Sequence, residues 1–140
     1  LSYIIDNKID DYNVDPNVKD TPLLVAVDEA HNYVSDPSTL REQYIVNRAR
    51  DAVKQGRKDK LGLFMITQNP EDIDGDILKQ TNTNIFLGLR EEVIKKVPSI
   101  PRGYENDLEK YGKGQAVIKA PDVEAVEVVG LPYCLTQHSN

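Results

Sequence analysis

Leu23-Leu24-Val25-Ala26-Val27-Asp28-Glu29-Ala30-His31 is a five-residue apolar run that stops abruptly at two carboxylates. Its length is that of a strand, and its lack of polar alternation predicts a parallel strand buried on both faces. Downstream, Ser35-Asp36-Pro37-Ser38 offers helix-cap chemistry, and apolar residues recur at Leu40, Tyr44, Ile45, Ala49, Ala52 and Val53. That is helical spacing, and it ends at Gly56. Leu61-Gly62-Leu63-Phe64-Met65-Ile66 reads as a second buried strand, stopped by Thr67-Gln68-Asn69-Pro70. The alternation continues with a short helix over 73–80, a third strand over 84–89 and a helix over 90–97. A further short helix around 106–111 precedes 114–119 and 125–129, two runs that read as a closing antiparallel hairpin across Ala120-Pro121-Asp122. Strands alternating with helices predict an α/β fold with a mainly parallel sheet, flanking helices and that hairpin near the C-terminus.

Upstream, residues 1–20 are polar and Asp-rich, with Pro16 and Asn17, and read as a terminal segment followed by a loop. Residues 21–140 carry the fold. At 140 residues and 39% hydrophobic composition the chain can bury a core without metals or cross-links. One cysteine, Cys134, permits no internal disulfide, which fits a reducing, cytoplasmic setting. No apolar run approaches the roughly 20 residues of a membrane span. The start Leu1-Ser2-Tyr3 has no initiator Met, basic n-region or apolar h-region, and predicts a piece of something longer.

The net charge of −6 excludes an all-over basic surface for nucleic acid. The cations are concentrated, however: residues 38–62 hold Arg41, Arg48, Arg50, Lys54, Arg57, Lys58 and Lys60 against Glu42, Asp51 and Asp59. A solvated helix face accounts for most of them.

The chemistry sits where the strands end. Open α/β sheets keep their ligand crevice outside the carboxyl ends of the strands, where Asp28 and Glu29 fall. The pattern resembles a Walker B motif. Magnesium on ATP phosphates is a hard cation that takes carboxylate and water oxygens, which suits Asp28, and Glu29 is then placed to orient an attacking water. Gln68 ends the next strand with an amide that both donates and accepts, fit to contact a phosphate oxygen and the lytic water together. An acidic pair ending a strand in solvent is the plainer alternative for Asp28-Glu29, and a strand cap is the plainer one for Gln68. His31 has no second His or Cys at ligand spacing and reads as a structural or helix-start residue. Arg57 follows a helix end, where a cation also gains from the macrodipole.

Taken in order, Val25-Ala26-Val27-Asp28-Glu29-Ala30-His31-Asn32, Gln55-Gly56-Arg57-Lys58, Gly62 to Pro70, Ile77 to Ile85, Leu87-Gly88-Leu89-Arg90 and the 112–118 segment resemble the C-terminal part of a HerA/FtsK-type motor ATPase, within the HerA-like helicases. The likeness spans roughly residues 21–132. It implies a RecA-like sheet, a hexameric ring that hydrolyses ATP with Mg²⁺ and pumps duplex DNA, and a NurA-type nuclease partner in DNA end processing. Carried over by position, it implies that Asp28 is the metal-holding Walker B aspartate, Glu29 the catalytic glutamate, Gln68 the polar sensor and Arg57 the arginine finger, with Arg90 in reserve.

One departure is plain: no Gly-x-x-x-x-Gly-Lys-Ser/Thr occurs, so the phosphate cradle is missing from these 140 residues. The expectation is that it lies upstream in a longer protein and that this chain alone is inactive. Superfamily 2 helicases also spell Asp-Glu-Ala-His but resemble a Ser/Thr-Ala-Thr motif after the next strand, where this chain has Thr67-Gln68-Asn69. A conjugative or secretion motor, or a degenerate assembly module that hydrolyses nothing, are the remaining readings.

Overall fold

The computed structural model describes residues 1–10, 12 and 14–130; Cys134 and the last residues of the span to 132 lie outside them. The chain divides into two compact units, residues 1–81 and 82–140.

In the first unit the decisive run forms β1 (Leu23–Val27), and the second apolar run forms β2 (Leu61–Met65). They pair in parallel, Leu23 opposite Leu61 and Val27 opposite Met65. The connection between them is α3 (Leu40–Gln55), as a parallel pair requires. Its start is a full capping box: the Thr39 hydroxyl accepts from the Glu42 N–H, and the Glu42 carboxylate accepts from the Thr39 N–H. Val46, Ala49 and Ala52 turn one face of α3 inward, onto Val27, Leu61 and Met65 and onto Ile77 of α4 (Gly75–Gln80). Gly56 closes α3 where any β-carbon would collide with the Ala52 and Leu61 carbonyl oxygens.

Burial of the strands differs from expectation. Leu23, Val25 and Val27 face the helices, but Leu24 and Ala26 are exposed, as are Phe64 and Ile66 on the neighbouring strand. Only one side of the described pair carries a helical layer, so the runs are apolar on both faces and covered on one.

The described residues before β1 are largely helical rather than a loop. They form α1 (Ser2–Ile9) and α2 (Pro16–Asp20), which exchange lysines. The fully buried Lys8 donates its ammonium to the Val18, Lys19 and Thr21 carbonyls at 2.7–3.2 Å, and Lys19 returns its own to the Lys8 and Asp10 carbonyls. Each helix thus supplies the cation that satisfies the other's last carbonyls. Burial, with Lys60 and Lys19 nearby, holds the Lys8 ammonium below its ordinary pKa. Ile5 packs beneath Ala52 and Leu61, and Arg48 of α3 binds Asp6 and Asp10, each at 2.6 Å. The polar composition hid this segment, although Leu1, Ile5 and Ile9 recur at helical spacing against Ala52 and Leu61, and the ion pairs and carbonyl capping add to that packing.

The second unit holds β3 (Asn84–Phe86), α5 (Glu91–Ile94), α6 (Glu105–Leu108), β4 (Gln115–Ala120) and β5 (Val123–Val129). The predicted hairpin is present as β4–β5. The third strand, expected in a mainly parallel sheet, pairs antiparallel with β4, Phe86 opposite Val117, so that β1–β2 is the one parallel pair among the described residues. Phe86, Val93, Val97, Ile100, Leu108 and Val117 make this unit's core. The α/β class stands, with its strands in a parallel pair and an antiparallel triplet. Among the described residues no helix is long and apolar enough to cross a membrane.

Two of the clustered cations are internal ties, not a solvated face. Arg48 binds α1, and Arg50 donates to both carboxylate oxygens of the buried Asp74, from Nε at 3.0 Å and from Nη2 at 2.6 Å. Asp74 also caps α4, accepting from the Asp76 and Ile77 N–H groups. Arg50 first, and those N–H groups next, hold the Asp74 carboxyl below its ordinary range against the opposing effect of burial. A depressed carboxyl contributes stability that is complete above the unfolded pKa of about 4 and is lost as pH falls through the lower folded value. Asp74→Asn is therefore expected to cost about 1–3 kcal/mol at neutral pH and to make the acid limb of a stability–pH curve shallower. An unchanged acid limb in urea titrations would contradict this role.

Candidate functional site

The two parallel strands do not end alike. Past Val27 the ladder continues once regularly, the Ile66 N–H donating to the Val27 carbonyl at 2.9 Å. A regular parallel ladder would next return the N–H of residue 29 to the Ile66 carbonyl. Here Ala30 makes that bond instead, at 2.8 Å, and the extra residue is pushed out of the ladder. Glu29 takes up the slack in the left-handed region, φ 47° and ψ 49°, and its N–H turns to the Asp28 carboxylate at 2.9 Å. Left-handed backbone is uncommon for a residue other than Gly, Asn or Asp, and such positions concentrate at functional sites.

The displaced Glu29 meets the end of the second strand. Gln68 Nε2 donates to Glu29 Oε1 at 3.2 Å. The other carboxylate oxygen lies 3.5 Å from His31 Nδ1, beyond a good hydrogen bond. His31 sits in a 3-10 turn (Ala30–Asn32) and shares a 2.9 Å hydrogen bond with the Thr67 hydroxyl, which also accepts from the Asn69 N–H at 3.0 Å. Further along, the Asp74 N–H donates to the Val34 carbonyl, and Ser35 bridges to Ile73. The loops that follow β1 and β2 are therefore stitched together at both ends, with Glu29 and Gln68 facing each other between the stitches. Thr67 carries no sequence signal of its own; a hydroxyl before the strand-end amide is a common pattern, and its partner lies 36 residues away.

Of the residues singled out from the sequence, Asp28, Glu29 and Gln68 come together at the carboxyl ends of the parallel pair. Asp28 is exposed, with Oδ1 on the Glu29 N–H and Oδ2 free of described partners. Its hard oxygen suits Mg²⁺, which commonly takes one or two protein carboxylates together with substrate phosphates. Among the described residues no cluster of three His, Cys, Asp or Glu could hold a metal by itself. Arg57 lies elsewhere, in the turn between α3 and β2, exposed and without a described side-chain partner. That turn precedes Leu61, the residue paired with Leu23, so the length of β2 separates Arg57 from Gln68, about 15 Å at strand rise. Arg90 belongs to the second unit, exposed at the start of α5, beside a cavity of about 380 Å³ that Glu109 and Tyr111 also line.

No protein-family model matches the chain. Solved structures are similar in fold: the genome packaging NTPase B204 of Sulfolobus turreted icosahedral virus 2, in complex with ATP-gammaS, superposes with a TM-score of 0.60 over 79% of this chain and 53% of that one, at 17% identity. At that identity the likeness is one of fold, an α/β architecture. The sequence relatives are more particular. The DNA double-strand break repair helicase HerA of Pyrococcus furiosus is 32% identical over 102 residues, 69% of this chain, and its probable counterpart in Methanocaldococcus jannaschii is 31% identical over 116 residues, 77% of this chain. That of Sulfurisphaera tokodaii is 38% identical over 76 residues, 54% of this chain. In sequence, the chain resembles part of the HerA helicases. It spans 18% of the length of the first of these relatives, 22% of the second and 14% of the third.

The backbone at Glu29 makes a stability prediction separable from activity. A residue with a β-carbon in the left-handed region costs roughly 1–2 kcal/mol, whereas the extra freedom of an unfolded glycine costs roughly 0.5–1 kcal/mol. Glu29→Gly is expected to be as stable as the parent chain, or more stable by up to about 1 kcal/mol, when the two are unfolded in urea. Marked destabilisation would show that the Glu29 contacts outweigh its backbone strain.

Proposed function

We propose that this chain supplies the Walker B and sensor portion of an ATP-hydrolysing motor of the HerA type, whose phosphate loop lies elsewhere in a longer protein. The observation that carries the reading is the 3.2 Å contact of Glu29 with Gln68 across two parallel strand ends, one of them distorted to make it.

The residues divide the work by chemistry. Asp28 would hold the metal of Mg-ATP, which when bound would neutralise charge on the transferring phosphoryl group. Glu29, in acting as base, keeps Oε2 free for the attacking water because Gln68 occupies only Oε1. Gln68 gives its N–H to Glu29 and so points its own carbonyl oxygen outward, an acceptor for the second proton of that water. The pair thus orients a water without a large motion, which is where positioning lowers a barrier. Arg57 stands a strand length from its own site, and acts on the nucleotide of a neighbouring subunit in a ring. The proposed substrate is duplex DNA, met by a few inward cations per subunit, so the net charge of −6 is no obstacle.

In the full-length protein, Glu29→Gln is expected to lower ATP turnover by about 10²- to 10⁴-fold while Mg-ATP binding persists. Wild-type turnover would overturn the assignment. Arg57→Ala and Glu29→Gln subunits, each nearly inactive alone, are expected to regain part of the turnover when mixed, because a wild-type Arg57 of one then meets a wild-type Glu29 site of the other. No recovery on mixing would place the finger elsewhere.

A further inference from the structure

His31 and Thr67 are not part of the reaction proposed above, yet they make the shortest side-chain link between the two strand-end loops, 2.9 Å between Nδ1 and Oγ1. The Thr67 hydroxyl is doubly engaged, to His31 and to the Asn69 N–H, so it fixes the backbone on both sides of Gln68. Gln68 itself is exposed, with the Glu29 carboxylate as its described side-chain partner. A flexible, solvated glutamine holds one orientation only if its backbone is held. The contacts close a ring: Glu29 to His31 through the turn, His31 to Thr67, Thr67 to Gln68 through the chain, Gln68 back to Glu29.

We infer that His31 and Thr67 are positioning residues that keep the Gln68 amide on Glu29 Oε1 and keep Glu29 Oε2 open for water, an inference that rests on the ATPase reading above. His31 Nδ1 lies 2.9 Å from the Thr67 hydroxyl and 3.5 Å from Glu29 Oε2, so the hydroxyl and not the carboxylate holds the imidazole. Removing the hydroxyl loosens Gln68 and also leaves the imidazole unheld beside Glu29 Oε2, the oxygen that the water needs. The two residues therefore act as one unit: the loss of either loosens Gln68, and the loss of the hydroxyl also leaves the imidazole beside Oε2.

The test is steady-state ATP hydrolysis by the full-length protein. Thr67→Val, which keeps the side-chain shape, and His31→Ala are each expected to lower kcat roughly 10- to 100-fold with KM for ATP within about twofold. The double variant should be no slower than the slower single one, since both remove one link. Thr67→Ser, which loses a methyl but keeps the hydroxyl, should retain turnover; a packing role would reverse the order of Val and Ser. Wild-type kcat in Thr67→Val, a Ser variant as slow as Val, or a rise in KM at constant kcat would each overturn the inference. Glu29→Gln in the same series separates the two ideas: if it still turns over, the ATPase reading itself falls, whereas an inactive Glu29→Gln beside a fully active Thr67→Val removes the positioning role alone.

Discussion

One hydrogen bond sets the geometry of the candidate site: the Ala30 N–H donates to the Ile66 carbonyl, one residue later than a regular parallel ladder allows. Everything at the strand ends follows from that slip. Glu29 is extruded into left-handed backbone, its carboxylate swings toward the second strand, and Asp28 takes over the N–H that Glu29 no longer gives to the sheet. The register of β1 on β2, fixed by Leu23, Val25 and Val27 packing with Leu61, Leu63 and Met65 against the helices, decides which residue is displaced. A shift by one position would turn the apolar set outward and present a different side chain to Gln68.

The strain at Glu29 persists because the surroundings over-determine it. Ala30 and Val34 are buried against Ile73 and Ile77, and Asp74 binds Val34, Arg50 and the start of α4 at once. The loop behind Gln68 is thereby tied to α3 and α4. Movement of Gln68 or Asn69 on a change of nucleotide state would reach those helices through Asp74, the kind of linkage that a motor domain uses to turn local chemistry into displacement. The bare apolar face carrying Leu24, Phe64 and Ile66 stands on the other side of the same two strands.

Much of this was legible in the chain. Leu23 to Val27 announced a strand by composition and abrupt ending, and α3 was framed by its cap and by Gly56. Asp28, Glu29 and Gln68 were identifiable because polar punctuation after two apolar runs puts side chains at the same sheet edge. Three things were not legible. The left-handed Glu29 has no local signal, since glutamate does not favour that region and the slip depends on a partner strand over thirty residues on. The α1–α2 pair was masked by its polar composition: Leu1, Ile5 and Ile9 supply an apolar face, but Lys8, Lys19 and Arg48 tie it through carbonyls and carboxylates remote along the chain. The antiparallel pairing of β3 was masked by a composition that suits parallel and antiparallel strands alike.

The central claim is that Asp28, Glu29 and Gln68 form half of a nucleotide site that is completed by a phosphate loop outside these 140 residues. Calorimetric titration of Mg-ATP tests it most directly, comparing this chain with the same chain extended upstream to include a phosphate loop. The account predicts no saturable micromolar binding by the short chain, whose lone carboxylates hold Mg²⁺ only jointly with seated phosphates, and saturable binding by the extended one. Tight binding by the short chain, or none by the extended one, would contradict it.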